Sequence, residues 1–144
     1  MKQYTINIQT QGRGTIAIGS NIDQLVQKSG IDTGLCHIFI HHTSASLILT
    51  ENADSDVRRD LENYFSRIVE DGDPAYFHDA EGPDDMSAHI RSILTQTEIS
   101  VPVSAGSLAM GTWQGIYLWE HRTSPHRRRL TVTLQGDNTR RNSD

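Results

Sequence analysis

The spacing of apolar residues changes twice along the chain, and this change limits the folds it can adopt. Residues 4–10, "YTINIQT", alternate apolar and polar side chains, and residues 34–49 form a long extended stretch. Residues 54–69 instead repeat their apolar positions at helical intervals, with Asp54 as the expected N-cap. Strand patterns return over residues 98–136. We therefore predict an α+β fold: a largely antiparallel sheet or sandwich with helices packed on it.

Shorter elements fill in this outline. A hairpin is predicted near the N-terminus, and a first helix should follow, with Ser20 or Asn21 as its N-cap and Gly30 at its end. Residues 71–84 lack an apolar period and predict a loop of functional length. A third helix should follow and bury one apolar stripe, formed by Met86, Ile90, Ile93 and Leu94. We expect one domain over residues 1–136 and a flexible tail over 137–144.

Length, charge and cysteine content limit the function. The 144 residues fit one domain, and a net charge of −5 argues against general binding to nucleic acid. The chain contains no apolar run of the roughly 18 residues that a membrane helix needs, and its N-terminus lacks a signal-peptide pattern. One cysteine, Cys36, rules out a disulfide within the chain. We predict a cytoplasmic protein with neither a membrane nor a nucleic-acid partner.

Charge is unevenly distributed. Twelve of the 18 acidic residues lie between Glu51 and Asp85, whereas six of the 13 basic residues lie from Arg122 onward. The basic group includes "HRRR" at 126–129. Two solvated faces would explain this pattern, and so would an anion site near the C-terminal strand.

Three histidines in different predicted elements could form one site. In an extended chain, His42 shares a face with Ser44 and Ser46, while His41 lies on the opposite face. His78 lies in the long loop, and His89 lies on the third helix among its apolar positions. Three protein ligands and an open position are typical of catalytic zinc, although each histidine could equally be an ordinary strand, loop or core residue. Nearby carboxylates that could orient the imidazoles or accept protons are Asp79, Glu81, Asp84 and Asp85.

The stretch "MGTWQGIYLWEHR" also exceeds what packing requires. It places two tryptophans, a glutamine, Glu120 and Arg122 within ten residues. An aromatic wall with an arginine suits a phosphorylated ligand. The alternative is a core strand whose end carries a surface pair of Glu120 and Arg122.

Three blocks, "HHTSASLILTENAD", "EGPDDMSAHI" and "GTWQGIYLWEHR", resemble the YjbQ-like family, described as secondary thiamine-phosphate synthases. The resemblance extends from about Tyr4 to Gly136. It implies an α+β fold, a homotrimer and a histidine-lined site able to bind a divalent metal, zinc or magnesium. It also implies an activity: joining a hydroxymethylpyrimidine pyrophosphate to a thiazole phosphate, with release of pyrophosphate.

The matching positions imply roles for individual residues. The expected metal ligands are His42, His78 and His89. The expected catalytic residues are His89, Glu120 and Arg122. The expected contacts to a small phosphorylated heterocyclic substrate are Thr43, Ser44, Ser46, Trp113 and Gln114.

Two other functions remain compatible with these residues. A metal-dependent hydrolase could use the same histidines to activate water against a small phosphorylated metabolite. A trimeric protein that binds an anion without turnover would need the same polar pocket. Release of pyrophosphate separates the synthase from the hydrolase, and binding without turnover would favour the third function.

Overall fold

The computed structural model describes residues 1–138, which form eight strands and three helices. The strands are β1 (Lys2–Gln9), β2 (Gly14–Ala17), β3 (Ile31–Ile40), β4 (Ala45–Glu51), β5 (Glu98–Ser104), β6 (Ser107–Leu108), β7 (Gln114–Glu120) and β8 (Arg127–Asn138). The helices are α1 (Gly19–Ser29), α2 (Ser55–Ile68) and α3 (Asp85–Leu94). The predicted α+β class is confirmed.

Two antiparallel sheets enclose the core. One sheet has the strand order β1-β8-β3-β5-β6, and the other has the order β2-β7-β4. The predicted N-terminal hairpin was wrong, because β1 pairs with β8 and β2 pairs with β7. Inward side chains of both sheets, such as Ile38, Leu118 and Val132, belong to one buried apolar cluster. Cys36 lies in this cluster, and burial raises the pKa of its thiol to about 12. The thiol is therefore a buried apolar group at neutral pH.

The long extended stretch is divided between the two sheets. Strand β3 ends at Ile40 and β4 begins at Ala45, so residues 41–44 cross from one sheet to the other. The expectation that His42 shares a strand face with Ser44 and Ser46 was wrong, because this alternation does not continue through the crossing. The polar residues of this stretch lie at and just beyond the crossing.

Helices α1 and α2 lie where the sequence places them, with one difference in capping. Asp54 caps α2 as predicted, since its Oδ1 accepts a hydrogen bond of 2.9 Å from the backbone N–H of Asp56. Gly30 ends α1 with a φ of 74°, a conformation that glycine adopts without strain. The predicted caps Ser20 and Asn21 were wrong, because Ile18 occupies the N-cap position without a side-chain hydrogen bond.

Helix α3 buries its polar side, contrary to prediction. Its buried residues are Asp85, Ser87, Ala88, Arg91 and Ser92. The buried Arg91 guanidinium donates to the partly exposed Glu62 of α2 at 2.7 Å, so an ion pair joins α3 to α2. The expected apolar stripe is partly exposed, and Ile93 keeps 82% of its surface accessible.

Strand β8 extends beyond the predicted end of the domain. Asp137 pairs with Thr33 and Asn138 pairs with Ile31 of β3, so the first two residues of the predicted tail belong to the sheet. The rest of that predicted tail, residues 139–144, lies outside the described residues. Within residues 1–138, no helix is both long enough and apolar enough to span a membrane.

Candidate metal centre

Two histidines and two carboxylates come together where the long loop meets α3. His78 and Glu81 belong to the loop, and Asp85 and His89 lie one turn apart on α3. One ligand atom from each of these residues lies within 4.8 Å of the others. We call this group the metal cluster. The loop and helix therefore bring together two imidazole nitrogens and two carboxylate oxygens.

The proton on His89 can be assigned from its partner. Nδ1 of His89 lies 2.9 Å from the carbonyl oxygen of Thr43, and a carbonyl only accepts, so Nδ1 carries the proton and donates it. Nε2 lies 3.1 Å from Oδ2 of Asp85, and in the neutral imidazole it carries the lone pair. A lone pair and a carboxylate oxygen attract each other only with a proton or a cation between them. A histidine that binds a metal through one ring nitrogen usually donates the N–H of the other to a carboxylate, a backbone carbonyl or water, as His89 does here.

His78 approaches the same carboxylate oxygen. Its Nε2 lies 2.5 Å from Oδ2 of Asp85, and the hydrogen bond with Asp85 raises the pKa of His78. Burial acts to raise the pKa of Asp85, but its hydrogen bond with His78 and nearby charges, including that of Arg122, hold it below its usual range. Asp85 is therefore an ionised carboxylate shared by two imidazoles.

Arg122 fixes the acidic side of the metal cluster. Its Nη1 donates to Oδ1 of Asp85 at 2.7 Å, and its Nε donates to Oδ2 of Asp84 at 3.0 Å. Its Nη2 donates to the carbonyl oxygen of Glu81 at 2.9 Å. Asp84 has a pKa of about 2, because hydrogen bonds from Thr123 and Arg122 outweigh its burial. Arg122 thus neighbours the cluster but is already engaged by carboxylates.

His42 lies near the cluster without joining it. Its Nε2 accepts a hydrogen bond of 2.8 Å from the backbone N–H of Arg129. Burial and the charge of Arg128 lower the pKa of His42, so its imidazole is neutral at pH 7. The structure thus brings together two of the three predicted histidines, and the lone pair of the third is already in use.

A cavity of about 470 Å³ adjoins the metal cluster. His89 belongs to both, and His42 lies on the cavity wall. The other walls include hydroxyl groups and an exposed apolar side chain: Thr43, Thr95, Thr97 and Ile93. The predicted substrate contact Thr43 therefore lines a cavity beside the cluster.

Ser44 and Ser46 serve buried networks instead. The Ser44 hydroxyl accepts a hydrogen bond of 3.0 Å from Arg128, and the Ser46 hydroxyl lies 2.8 Å from Nε2 of His121. Both serines are buried, and neither lines the cavity of about 470 Å³. Their hydroxyls satisfy buried polar groups of the fold.

Glu120 is enclosed by donors. Its carboxylate accepts hydrogen bonds from the Thr10 hydroxyl at 2.7 Å and from Nε of Arg128 at 2.8 Å, and it is 0% exposed. The backbone N–H of Arg122 donates to it at 3.2 Å. Glu120 points into the protein and not toward a surface pair with Arg122, so the predicted surface pair was wrong. This geometry favours a structural role for Glu120.

Trp113 and Gln114 lie at the start of β7, whereas Glu120 and Arg122 lie at and just after its end. Gln114 begins β7 and pairs with Glu51, whereas Glu120 ends β7 and pairs with Ala45. Six residues of extended strand separate the two ends by about 20 Å. Gln114 accepts a hydrogen bond of 2.8 Å from the backbone of Gly111. The structure therefore does not bring these two predicted substrate contacts to the cluster.

Sequence reasoning missed Arg128 and Arg129 as individual site residues. Arg128 holds Glu120 and Ser44, while the backbone of Arg129 holds His42. The only signal was the basic group at 126–129, which indicated an anion site without distinguishing its arginines. Strand alternation in β8 separates them, because Arg128 is buried and Arg129 is exposed.

The family model of the UPF0047 protein YjbQ-like group matches residues 4–137. The chain belongs to this family. A UPF0047 protein from Synechocystis sp. is 49% identical over 135 residues, covering 94% of this chain and 92% of that protein. UPF0047 protein YjbQ from Escherichia coli O157:H7 is 43% identical over 136 residues, covering 94% and 98%.

A solved structure shows the same fold in this family. The YjbQ/UPF0047 protein from Clostridium acetobutylicum is 30% identical, with a TM-score of 0.81. The match covers 94% of this chain and 100% of that one. Membership of the YjbQ-like family, predicted from three sequence blocks, is confirmed.

Proposed function

We propose that this YjbQ-like protein is a metal-dependent transferase that joins a hydroxymethylpyrimidine pyrophosphate to a thiazole phosphate, giving thiamine phosphate and pyrophosphate. The observation that carries the proposal is the metal cluster beside a cavity of about 470 Å³. A cavity of this size lies within the usual range of about 300–1,000 Å³ for small-molecule sites. The choice of substrates rests on the family resemblance.

The donor set fits zinc better than magnesium. His78 and His89 offer nitrogen, and Glu81 and Asp85 offer oxygen. Zinc accepts both kinds of ligand, whereas magnesium prefers oxygen ligands and retains several waters. A bound zinc ion would supply positive charge that favours departure of a pyrophosphate. The hydrogen bond from His89 to the Thr43 carbonyl gives that ligand a fixed orientation.

The chain's own residues would orient the substrate. Hydroxyls of Thr43 and Thr97 on the cavity wall can donate to phosphate oxygens, whereas the Thr95 hydroxyl already donates within the protein, 2.8 Å from the Arg91 carbonyl oxygen. In the reaction, the lone pair of the thiazole nitrogen forms a bond to the pyrimidine methylene carbon as that carbon loses its bond to the pyrophosphate oxygen. The bond electrons leave with the pyrophosphate, so stabilising its charge is the main catalytic requirement.

A hydrolase is the second candidate, favoured by the exposure of the metal cluster. His78 and Glu81 are both exposed, so water can reach the cluster without passing through the cavity. Zinc with an accessible position can activate water against a phosphoester. The two reactions differ in what they require, because hydrolysis consumes one phosphorylated substrate and synthesis consumes two. The third candidate, an anion-binding protein, predicts binding without any product.

We also propose that the protein assembles as a homotrimer in the cytoplasm. Ile93 and Leu94 are 82% and 54% exposed, and Ile93 lines the cavity. Covering these side chains in an assembly would remove apolar surface from water and place a second subunit beside the cavity. The number of copies rests on the family resemblance. The cytoplasmic location rests on the single cysteine, which is buried as a thiol.

The test is turnover by purified protein given both substrates, with zinc added or chelated. We expect thiamine phosphate and one pyrophosphate per product, with activity lost on chelation. His89→Ala should lower turnover at least about tenfold, since one lost group at such a site costs roughly 10²–10³ in rate. Arg122→Ala should also lower turnover at least about tenfold, because Arg122 positions Asp85 of the metal cluster. His37→Ala is the matched control, because His37 pairs with Glu98 on an exposed part of β3. Phosphate released from either substrate alone would favour the hydrolase, and full activity in His89→Ala would end the catalytic assignment.

A further inference from the structure

A second cavity lies on the other side of His42. It has a volume of about 400 Å³ and is lined by Phe39, His41 and Arg129 together with His42, Thr43 and Thr97. The last three residues also line the cavity beside the metal cluster. Two cavities therefore share one wall, formed by a histidine and two threonines. We call the second one the arginine lobe.

The Arg129 side chain is available to a ligand. Its neighbour Arg128 is buried and engaged by Glu120 and Ser44, whereas Arg129 points to the opposite, exposed side of β8. Its backbone holds His42 and His41, but within residues 1–138 its guanidinium forms neither a hydrogen bond nor a salt bridge. An unpaired guanidinium at the edge of a cavity is a strong donor for a phosphate.

The part of the arginine lobe formed by β3 is aromatic. Phe39 is partly exposed and packs edge-to-face against His41, with ring centroids 4.9 Å apart. His41 is held by Thr131 at 2.7 Å, which fixes this wall. An ordered aromatic surface beside a free guanidinium suits a ligand with a flat ring and an anionic group.

We propose that the arginine lobe binds the phosphate monoester of an aromatic heterocycle, with Arg129 holding the phosphate and Phe39 contacting the ring. Given the proposed function, which this inference deepens, the ligand is the thiazole phosphate. The pyrophosphate substrate then occupies the cavity beside the metal cluster. The reacting ends of the two substrates would meet beside the shared residues His42, Thr43 and Thr97, where the two cavities adjoin.

Binding of the thiazole phosphate to chelator-treated protein tests the lobe separately from turnover. The comparison ligands are the same thiazole alcohol without its phosphate, and inorganic phosphate. Arg129→Gln should weaken binding of the thiazole phosphate about 10- to 100-fold, as expected for a lost charge-assisted hydrogen bond. It should leave binding of the alcohol unchanged. His42 should keep its orientation, because the backbone of Arg129 holds it and not the side chain.

Arg127→Gln is the matched control. Arg127 lies two residues away on the same exposed face of β8, and its loss changes the net charge by the same amount. Equal weakening in both variants would show that general electrostatics govern binding, and the lobe assignment would be overturned. Failure of the unmodified protein to bind the thiazole phosphate would overturn it too. Binding that depends on Arg129 without any turnover would keep the lobe and reject the transferase, because metal is absent from this assay.

Discussion

Removing the charge of Glu120 should destabilise the protein strongly without touching the metal cluster. Glu120 is 0% exposed and accepts hydrogen bonds from Thr10, Arg128 and the backbone of Arg122. In Glu120→Gln, the amide oxygen can still accept a hydrogen bond. The NH₂ group replaces the second oxygen and faces N–H and O–H donors, with which it cannot form hydrogen bonds as an acceptor. The Arg128 guanidinium, which is also buried, would then retain only Ser44 and a weak contact to His42.

The expected loss follows from leaving a cation buried without its partner. Breaking a buried ion pair by removing one member costs about 3–5 kcal/mol, against a total stability of about 5–15 kcal/mol for a typical domain. Glu120→Gln should therefore fold but unfold at clearly lower urea concentration. The buried indole of Trp119, next to Glu120 in β7, gives a fluorescence signal for the same transition. Circular dichroism at matched protein concentration supplies a second probe.

An exposed pair provides the control for Glu120→Gln. Glu98 lies 3.0 Å from His37, but the Glu98 side chain is 64% exposed. Glu98→Gln should change stability by less than about 1 kcal/mol, because solvent screens such pairs. The double variant Glu120→Leu/Arg128→Met removes both charges and should recover part of the loss. If Glu120→Gln costs no more than Glu98→Gln, Glu120 is not the structural anion described above, and its predicted catalytic role regains support.

Three further outcomes are expected. Burial lowers the pKa of His121 from 6.5 to about 3, so the unfolded state binds the extra proton in that interval. The free energy of unfolding should decrease as the pH is lowered through this interval, by up to about 1.4 kcal/mol per pH unit. In His121→Gln, the urea midpoint should depend less steeply on pH. An unchanged slope would contradict this. In metal analysis, His78→Ala should reduce bound zinc at least about tenfold relative to His37→Ala, as expected for lost metal-site groups; equal zinc contents would remove His78 as a ligand. In light scattering, Ile93→Glu should lower the molar mass from three chains toward one, and an unmodified protein that is already a monomer would end the trimer proposal.

Much of the fold could be predicted because its signals are local. Helix α2 combines an apolar period with the Asp54 cap, and the helix lies where these signals place it. The buried side of α3 could not be predicted in this way. Arg91 is buried because Glu62, 29 positions earlier, meets it from α2. Ile93 and Leu94 at the end of α3 are left toward solvent, and no pattern within that helix indicates this.

The candidate metal centre shows the same limit. His78 and His89 were predicted to converge, and the structure brings their rings together with centroids 5.4 Å apart. His42 differs because its Nε2 is occupied by a backbone N–H 87 positions away, which depends on the pairing of β3 with β8. Asp85 was seen as an orienting group, but its position between two imidazoles follows from the packing of the loop on α3. The residue types indicated which side chains could bind a metal. Long-range strand pairing and packing determine which of their nitrogen and oxygen atoms are free to do so.

Three arginines near the candidate centre differ in the anions that they meet, and this difference bears on the reaction. Arg122 is neutralised by Asp84 and Asp85, and Arg128 is neutralised by Glu120. Neither can give its full charge to a ligand, because each is already bound to a carboxylate. On the proposed assignment, the positive charge open to substrate would be Arg129 on one side of the shared wall and the ion of the metal cluster on the other. Hydrolysis of a single phosphorylated metabolite needs one such charge, whereas joining two phosphorylated molecules needs both. The proposed two-substrate transferase therefore requires both charges, and the binding assay with Arg129→Gln tests one of them.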